Sequence, residues 1–210
     1  MDYTKIKAPY INNKEIKKKA DLFRRKFWDD SIPVDIETII DVKLKIDIIP
    51  SLNLKQECDS DALISSDWKS ILVDRNEYLD ERYQNRLRFS FAHEIGHFVL
   101  HKDIYGSFKI TALEEFYRFI EKIPKEQYGF FETQANKFAG YLLVKRKLLE
   151  KKLDIEIERV KKAIDLNSLN NKTLLKSYIA NPLSKEFGIS RESMEIILSE
   201  FDILNDESGF

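Results

Sequence analysis

All three histidines of this 210-residue chain fall within nine residues, at His93, His97 and His101. The first two bound the string His93-Glu94-Ile95-Gly96-His97, an HExxH pattern. On a helix the four-residue spacing sets both imidazoles on one face about one turn apart, where two neutral ring nitrogens can bind one metal ion. With three His and 19 Glu in the chain, chance would produce such a string about 0.4% of the time. The neighbouring residues favour the helix: Phe91, Ala92, Ile95, Phe98 and Val99 gather on one side at about 100° per residue, leaving His93 and His97 together on another flank. The chain must therefore supply a helix that buries one face and turns the other to a metal. The plain alternative is an amphipathic helix with two surface histidines.

Composition narrows the setting. With 43% apolar and 34% charged residues, the chain can bury a sizeable core as one domain or one domain plus a small appendage, which argues against disorder. Lys plus Arg number 35 and Asp plus Glu 36, for a net charge of −1, which argues against a protein built around bulk nucleic-acid or membrane charge. No apolar run approaches the roughly 18 residues of a membrane span. Residues 1–19 are lysine-rich but lack the apolar stretch of a secretory signal, so a cytosolic location is expected. The single cysteine, Cys58, excludes an internal disulfide framework and a Cys-rich zinc module. The six glycines are too scattered for a phosphate-cradling loop, which excludes dinucleotide and P-loop chemistry.

The neutral total hides a basic start. Residues 1–28 carry nine Lys or Arg against three acids, and residues 29–67 carry ten acids against three lysines. Ile16, Ala20, Phe23 and Phe27 recur at helical spacing, predicting an amphipathic helix over 13–28 with a lysine and arginine outer face. Pro33 is placed to begin a short helix reaching about Asp41. Leu44, Ile46 and Ile48 then alternate as a strand ending at Pro50, and further strands are expected at 62–65 and 70–73. From Leu79 the pattern turns helical, over 79–101, 111–122 and 131–152, with a break at Pro124. The remainder reads as helix, with a polar link at 167–173 and a second break at Asn181-Pro182.

Two histidines do not complete a catalytic zinc site, which normally has three protein ligands and one open position. His101 lies eight residues from His93, about 12 Å along the same helix axis and too far to share one ion, so its expected role is support or packing. The metzincin pattern fails because its third-histidine position holds Asp103. A carboxylate from the next long helix would serve, and Glu132 fits. Ala135, Phe138, Ala139, Leu142 and Leu143 form an apolar stripe there, with Glu132 and Asn136 one turn apart along its edge. A carboxylate beside such a stripe is costly to bury unless a cation pairs with it. A glutamate interacting with free amides at a helix N-terminus is the competing reading.

The run Arg88-Phe89-Ser90-Phe91-Ala92-His93-Glu94-Ile95-Gly96-His97, followed by Glu132-Thr133-Gln134-Ala135-Asn136-Lys137-Phe138-Ala139, resembles the ImmA/IrrE family of zinc metallopeptidases, which are gluzincin-like. The basic helix, the Pro33 segment and the short strands are similar too, so the resemblance covers residues 16–144. It implies an α+β, zincin-like metallopeptidase domain over 1–150, with a sheet of about three strands packed on helices. A helical, helix-turn-helix-like region would follow over 151–210. It also implies Glu132 as third ligand, beside His93 and His97, of Zn2+, with Mn2+ as the other candidate ion. Lys145 stands where the family usually has proline, a departure read as touching the helix end and not the site.

In the expected mechanism, zinc lowers the pKa of its water to about 7 and polarises the scissile carbonyl. Glu94 takes the water's proton and hands it to the leaving amine. Asn136 is placed to orient a histidine ligand. Tyr105, Tyr128, Tyr141 and His101 are all candidates for a second oxyanion donor. An extended peptide could add to a sheet edge at 70–74 or 62–65.

Residues 183–194 look like a helix-turn-helix with Gly188 at the turn, yet 184–210 hold two basic residues against seven acids, which argues against DNA binding. The resemblance implies a cytosolic endopeptidase that cleaves a protein partner, a DNA-binding repressor or antitoxin-like protein, and so regulates transcription. The alternative is a non-cleaving binding module that sequesters the same partner while keeping the fold and metal. Glu94 between the ligands favours the first, since a binding module has no need of a general base.

Overall fold

A computed structural model describes residues 2–163 and 172–201. The first long helix, α1 (Asn13–Phe27), begins where the Asn12 side chain accepts the Glu15 N–H at 3.0 Å. Ile16, Ala20 and Phe23 turn inward as their spacing predicts. Arg24 departs from the expected outer face. It is 3% exposed, and its guanidinium donates to the carbonyls of Asp29 and Leu142, each at 2.9 Å. A buried guanidinium is tolerated because those carbonyls need donors and one of them ends a helix.

The short helix starts at Ile36 and not at Pro33. Asp35 caps it by accepting the Thr38 N–H at 3.0 Å, and a wider π turn continues it over Ile39–Leu44. That turn absorbs Leu44, so strand β1 is Asp47–Ser51, after Lys45 in the left-handed region has ended the helix. Strands β2 (Ala62–Ile64) and β3 (Ser70–Asp74) lie within or close to the expected spans 62–65 and 70–73.

The sheet order is β1-β3-β2, with β1 parallel and β2 antiparallel to β3. The central position of β3 overturns one of the two expected peptide edges. Segment 70–74 is hydrogen-bonded on both sides, so an added strand has access only at β2 on that side of the sheet.

The expected helix over 79–101 is divided. Asp74 caps a short turn at Arg75–Tyr78, and Asp80 caps another at Glu81–Tyr83 by accepting the Arg82 N–H at 3.0 Å. The motif helix proper, α2, is Gln84–Leu100. Phe98 and Val99, expected in its buried face, are only half-buried, whereas Glu94 and His97 are buried. Helix α3 (Leu113–Lys122) starts where the Glu115 carboxylate accepts the N–H groups of Thr111 and Ala112. Helix α4 (Lys125–Leu143) begins directly after Pro124, six residues before the expected start, and ends at Leu143 instead of 152. Glu132 therefore sits eight residues into a helix, away from the free amides of its first turn, which removes the capping explanation for it.

The chain divides into two compact units, Met1–Asp29 with Asp35–Leu142, and Asp30–Val34 with Leu143–Phe210. The second contains α5 (Arg146–Ala163), α6 (Lys172–Phe187) and α7 (Arg191–Glu200). The 167–173 link lies mostly outside the described residues. Asn181-Pro182 does not break the chain as expected, since Pro182 lies inside α6. A helical proline costs about 3 kcal/mol. Fully buried Ile179, Leu183 and Phe187 around it return about 1.5–3 kcal/mol each, which outweighs that cost. Gly188, at φ 64°, makes the turn between α6 and α7, and Ser190 caps α7 by accepting the Ser193 N–H at 3.1 Å.

Candidate metal centre

Helix α2 presents His93 and His97 one turn apart, with ring nitrogens Nε2 3.0 Å from each other. Helix α4 crosses it closely enough that a Cβ on Gly96 would stand 2.9 Å from Ala135 Cα, so only glycine permits this approach. The crossing delivers Glu132, whose Oε2 lies 3.2 Å from His93 Nε2 and whose Oε1 lies 3.5 Å from His97 Nε2. The three donors fall within 4.8 Å of one another, the one such His, Cys, Asp or Glu group found among the described residues.

The donor set suits a divalent cation. Ligands bound at about 2.0–2.1 Å in a tetrahedron stand about 3.3 Å apart; the two imidazole nitrogens are 3.0 Å apart, and each has one oxygen of the Glu132 carboxylate at 3.2 or 3.5 Å. Two imidazoles and one carboxylate are also the His2Glu set of open zinc sites.

Electrostatics point the same way. Burial opposes a charge on His93, but Glu132 and then Glu94 and Asn136 overcome it and push its pKa up to about 9. Burial likewise opposes ionisation of Glu132, and the two histidines hold that carboxyl far below the usual range. A proton on His93 then balances the half-buried Glu132 carboxylate, the charge a bound cation would supply.

Glu94 is 5% exposed. Its Oε2 accepts the Ile64 backbone N–H at 2.7 Å, and Oε1 lies 4.0 Å from His93 Nε2. Burial pushes its pKa up, with His93, His97 and the Ile64 N–H opposing. Asn136, one turn after Glu132, places Oδ1 2.8 Å from His93 Nδ1. His101 stands outside the donor trio, with Nδ1 3.0 Å from His97 Nδ1 and Nε2 3.0 Å from Gln134 Oε1. Burial, then the neighbouring His97, drive its pKa down to about 3.

These groups open into a cavity of about 280 Å³, also lined by Ala62, Leu63, Tyr105, Phe116 and Tyr128. Of the four oxyanion candidates, Tyr105 and Tyr128 line it; Tyr141 and His101 do not. Burial, followed by the Glu132 charge, pushes the Tyr128 phenol well above its ordinary value.

Sequence reasoning missed three participants. The Ile64 N–H carries no side-chain signal. Gln134 is an ordinary helical residue until its neighbours are known. Asp61 accepts from Arg86, with Nε at 2.7 Å, and from Ser90 Oγ at 3.1 Å, and so ties the start of β2 to α2.

A helix carrying two histidines, a glutamate from the next long helix and a small sheet alongside define a zincin-like fold of the metallopeptidase class, with a helical C-terminal part. Residues 76–199 match the peptidase M78 family, described as the IrrE N-terminal-like domain, and the chain belongs to that family. No curated protein matches the chain. The match begins after the three strands and continues beyond 144, where the resemblance in sequence ended. Among the described residues no helix is long and apolar enough to cross a membrane.

Proposed function

We propose that the protein is a zinc-dependent endopeptidase that cleaves a protein partner, a DNA-binding repressor or antitoxin-like protein, and thereby regulates transcription. The observation that carries the peptidase reading is the convergence of His93, His97 and Glu132 with the Glu94 carboxylate on one cavity wall. The partner class rests on family membership. Zinc, with Mn2+ as the other candidate, would be held by those three donors and would supply Lewis acidity to a water and to the scissile carbonyl.

The chain's own residues perform the rest. Glu94 takes a proton at the oxygen facing the histidines while its other oxygen stays on the Ile64 N–H, so the base is oriented before substrate arrives. Its raised pKa suits a group that must accept a proton and return it to the leaving amine. Asn136 holds His93 by its distal nitrogen. The Tyr128 hydroxyl, neutral because burial and Glu132 oppose its ionisation, can donate to a developing oxyanion at the cavity wall. Strand β2, at the sheet edge and on the cavity rim through Ala62 and Leu63, is placed to pair with an extended peptide.

Elemental analysis of purified wild type and Glu132→Ala after dialysis against metal-free buffer tests the centre. Incubation with candidate repressors encoded near the gene, beside Glu94→Gln, tests cleavage. Retained zinc with no cleavage of any partner that binds would favour a sequestering module instead.

A further inference from the structure

We infer that the Pro9 carbonyl, Gln134 and His101 form a proton-ordering relay that determines which nitrogen of His97 is left free for a metal. This rests on the metal-centre reading and extends it to positioning residues that are not among the donors.

The relay starts at Pro9, whose carbonyl oxygen can only accept. The Gln134 side chain meets it at 2.7 Å, so the atom there is Nε2, donating. The other end of the same amide is then Oε1, an acceptor, and it lies 3.0 Å from His101 Nε2. An acceptor needs a donor, which puts the His101 proton on Nε2. A neutral imidazole has one N–H, so His101 Nδ1 keeps its lone pair. That atom lies 3.0 Å from His97 Nδ1, which must donate to it. His97 Nε2 is therefore bare, and it is Nε2 that faces His93 and Glu132. Each proton position follows from the one before, and the last is fixed at the nitrogen that would bind the ion.

Burial makes the order compulsory. His97, His101 and Gln134 are 2%, 1% and 8% exposed, so solvent cannot readily substitute for a missing partner, and a reversed link would leave buried polar atoms facing like atoms. The rings are also confined, with Phe131 edge-on to His101 at 4.8 Å and Tyr105 tilted against His97 at 5.2 Å. The starting carbonyl is held in place as well. The Ala8 N–H donates to Gln127 Oε1 at 2.8 Å, and Gln127 and Gln134 are seven residues, about two turns, apart on the same side of α4. The N-terminal segment is thus fastened by two glutamines beside the carbonyl that sets the relay.

Long-range 1H–15N NMR of the histidine rings in the metal-free wild type reads the relay directly, without activity or zinc. The expected result is a proton on Nδ1 of His97 and on Nε2 of His101. Gln134→Leu removes the acceptor for His101, so the His97 proton should redistribute toward Nε2 and zinc affinity in a chelator competition should fall about 10–100-fold. A wild-type His97 proton on Nε2, or a folded Gln134→Leu that holds zinc as tightly as wild type, overturns the relay. A wild type that takes up no zinc while its His97 proton sits on Nδ1 supports the relay and counts against the metal centre alone.

Discussion

The backbone N–H of Ile64 donates to Glu94 Oε2 at 2.7 Å, so the edge strand and the motif helix share one carboxylate. The bond uses one oxygen of the proposed base and leaves the other toward the histidines. It also draws β2 onto α2 beside the cavity, 30 residues away in sequence, where a peptide strand would have to lie.

Glu94→Gln keeps an oxygen to accept the Ile64 N–H and changes no metal donor. Zinc content and thermal midpoint should therefore match wild type while cleavage falls by about 10²–10⁴-fold. Turnover equal to wild type in a single-turnover assay would remove Glu94 from the mechanism.

Glu132→Ala removes one of three donors and the partner that keeps His93 protonated. The variant should lose most of the zinc, about one equivalent per chain, that the wild type holds through dialysis. Full retention by mass spectrometry of the native protein would require a different third ligand.

Zinc uptake should depend on pH with a definite sign. The His93 proton is held up to about 9 in the folded, metal-free protein, against about 6.5 unfolded. Its contribution to metal-free stability is complete below about 6.5 and fades as pH rises through about 9. Zinc must displace that proton, so apparent affinity should climb toward pH 9 and then level off. Calorimetry at pH 7.5 in two buffers of different ionisation heat should show about one proton released from His93. Uptake independent of pH over that range would contradict the His93–Glu132 ion pair.

Gly96→Ala tests the helix crossing. The added Cβ would meet Ala135 Cα at 2.9 Å and its carbonyl oxygen at 3.0 Å, and backbone cannot step aside as a side-chain end can. Overpacking of about 1–3 kcal/mol should exceed the roughly 1 kcal/mol that alanine gains over glycine in a helix. The thermal midpoint should fall, and zinc affinity with it, because Glu132 rides on the displaced helix. A midpoint above wild type would show that the crossing is looser than described.

What the sequence alone determined is local. The four-residue spacing of His93 and His97 needs only helix geometry, and the same rule made Asn136 a neighbour of Glu132. Short apolar runs on either side of the polar Ser66, Asp67 and Lys69 placed β2 and β3, because both the runs and the turn between them are written in consecutive residues. Boundaries went astray where neighbouring side chains competed: Asp35 capped a helix assigned to Pro33, Asp80 divided one that periodicity ran together, and buried Leu183 and Phe187 carried α6 through Pro182.

Only the tertiary structure decided the sheet order, which put β3 in the centre and left β2 at the edge. The same holds for the burial of Arg24 under two carbonyls and for the path from Pro9 through Gln134 and His101 to His97. The longest of these relations joins Pro9 to Gln134, 125 positions apart, and Arg24 reaches Leu142 across 118. No periodicity links such positions, because their distances follow from which helices and strands pack together once the apolar faces are buried.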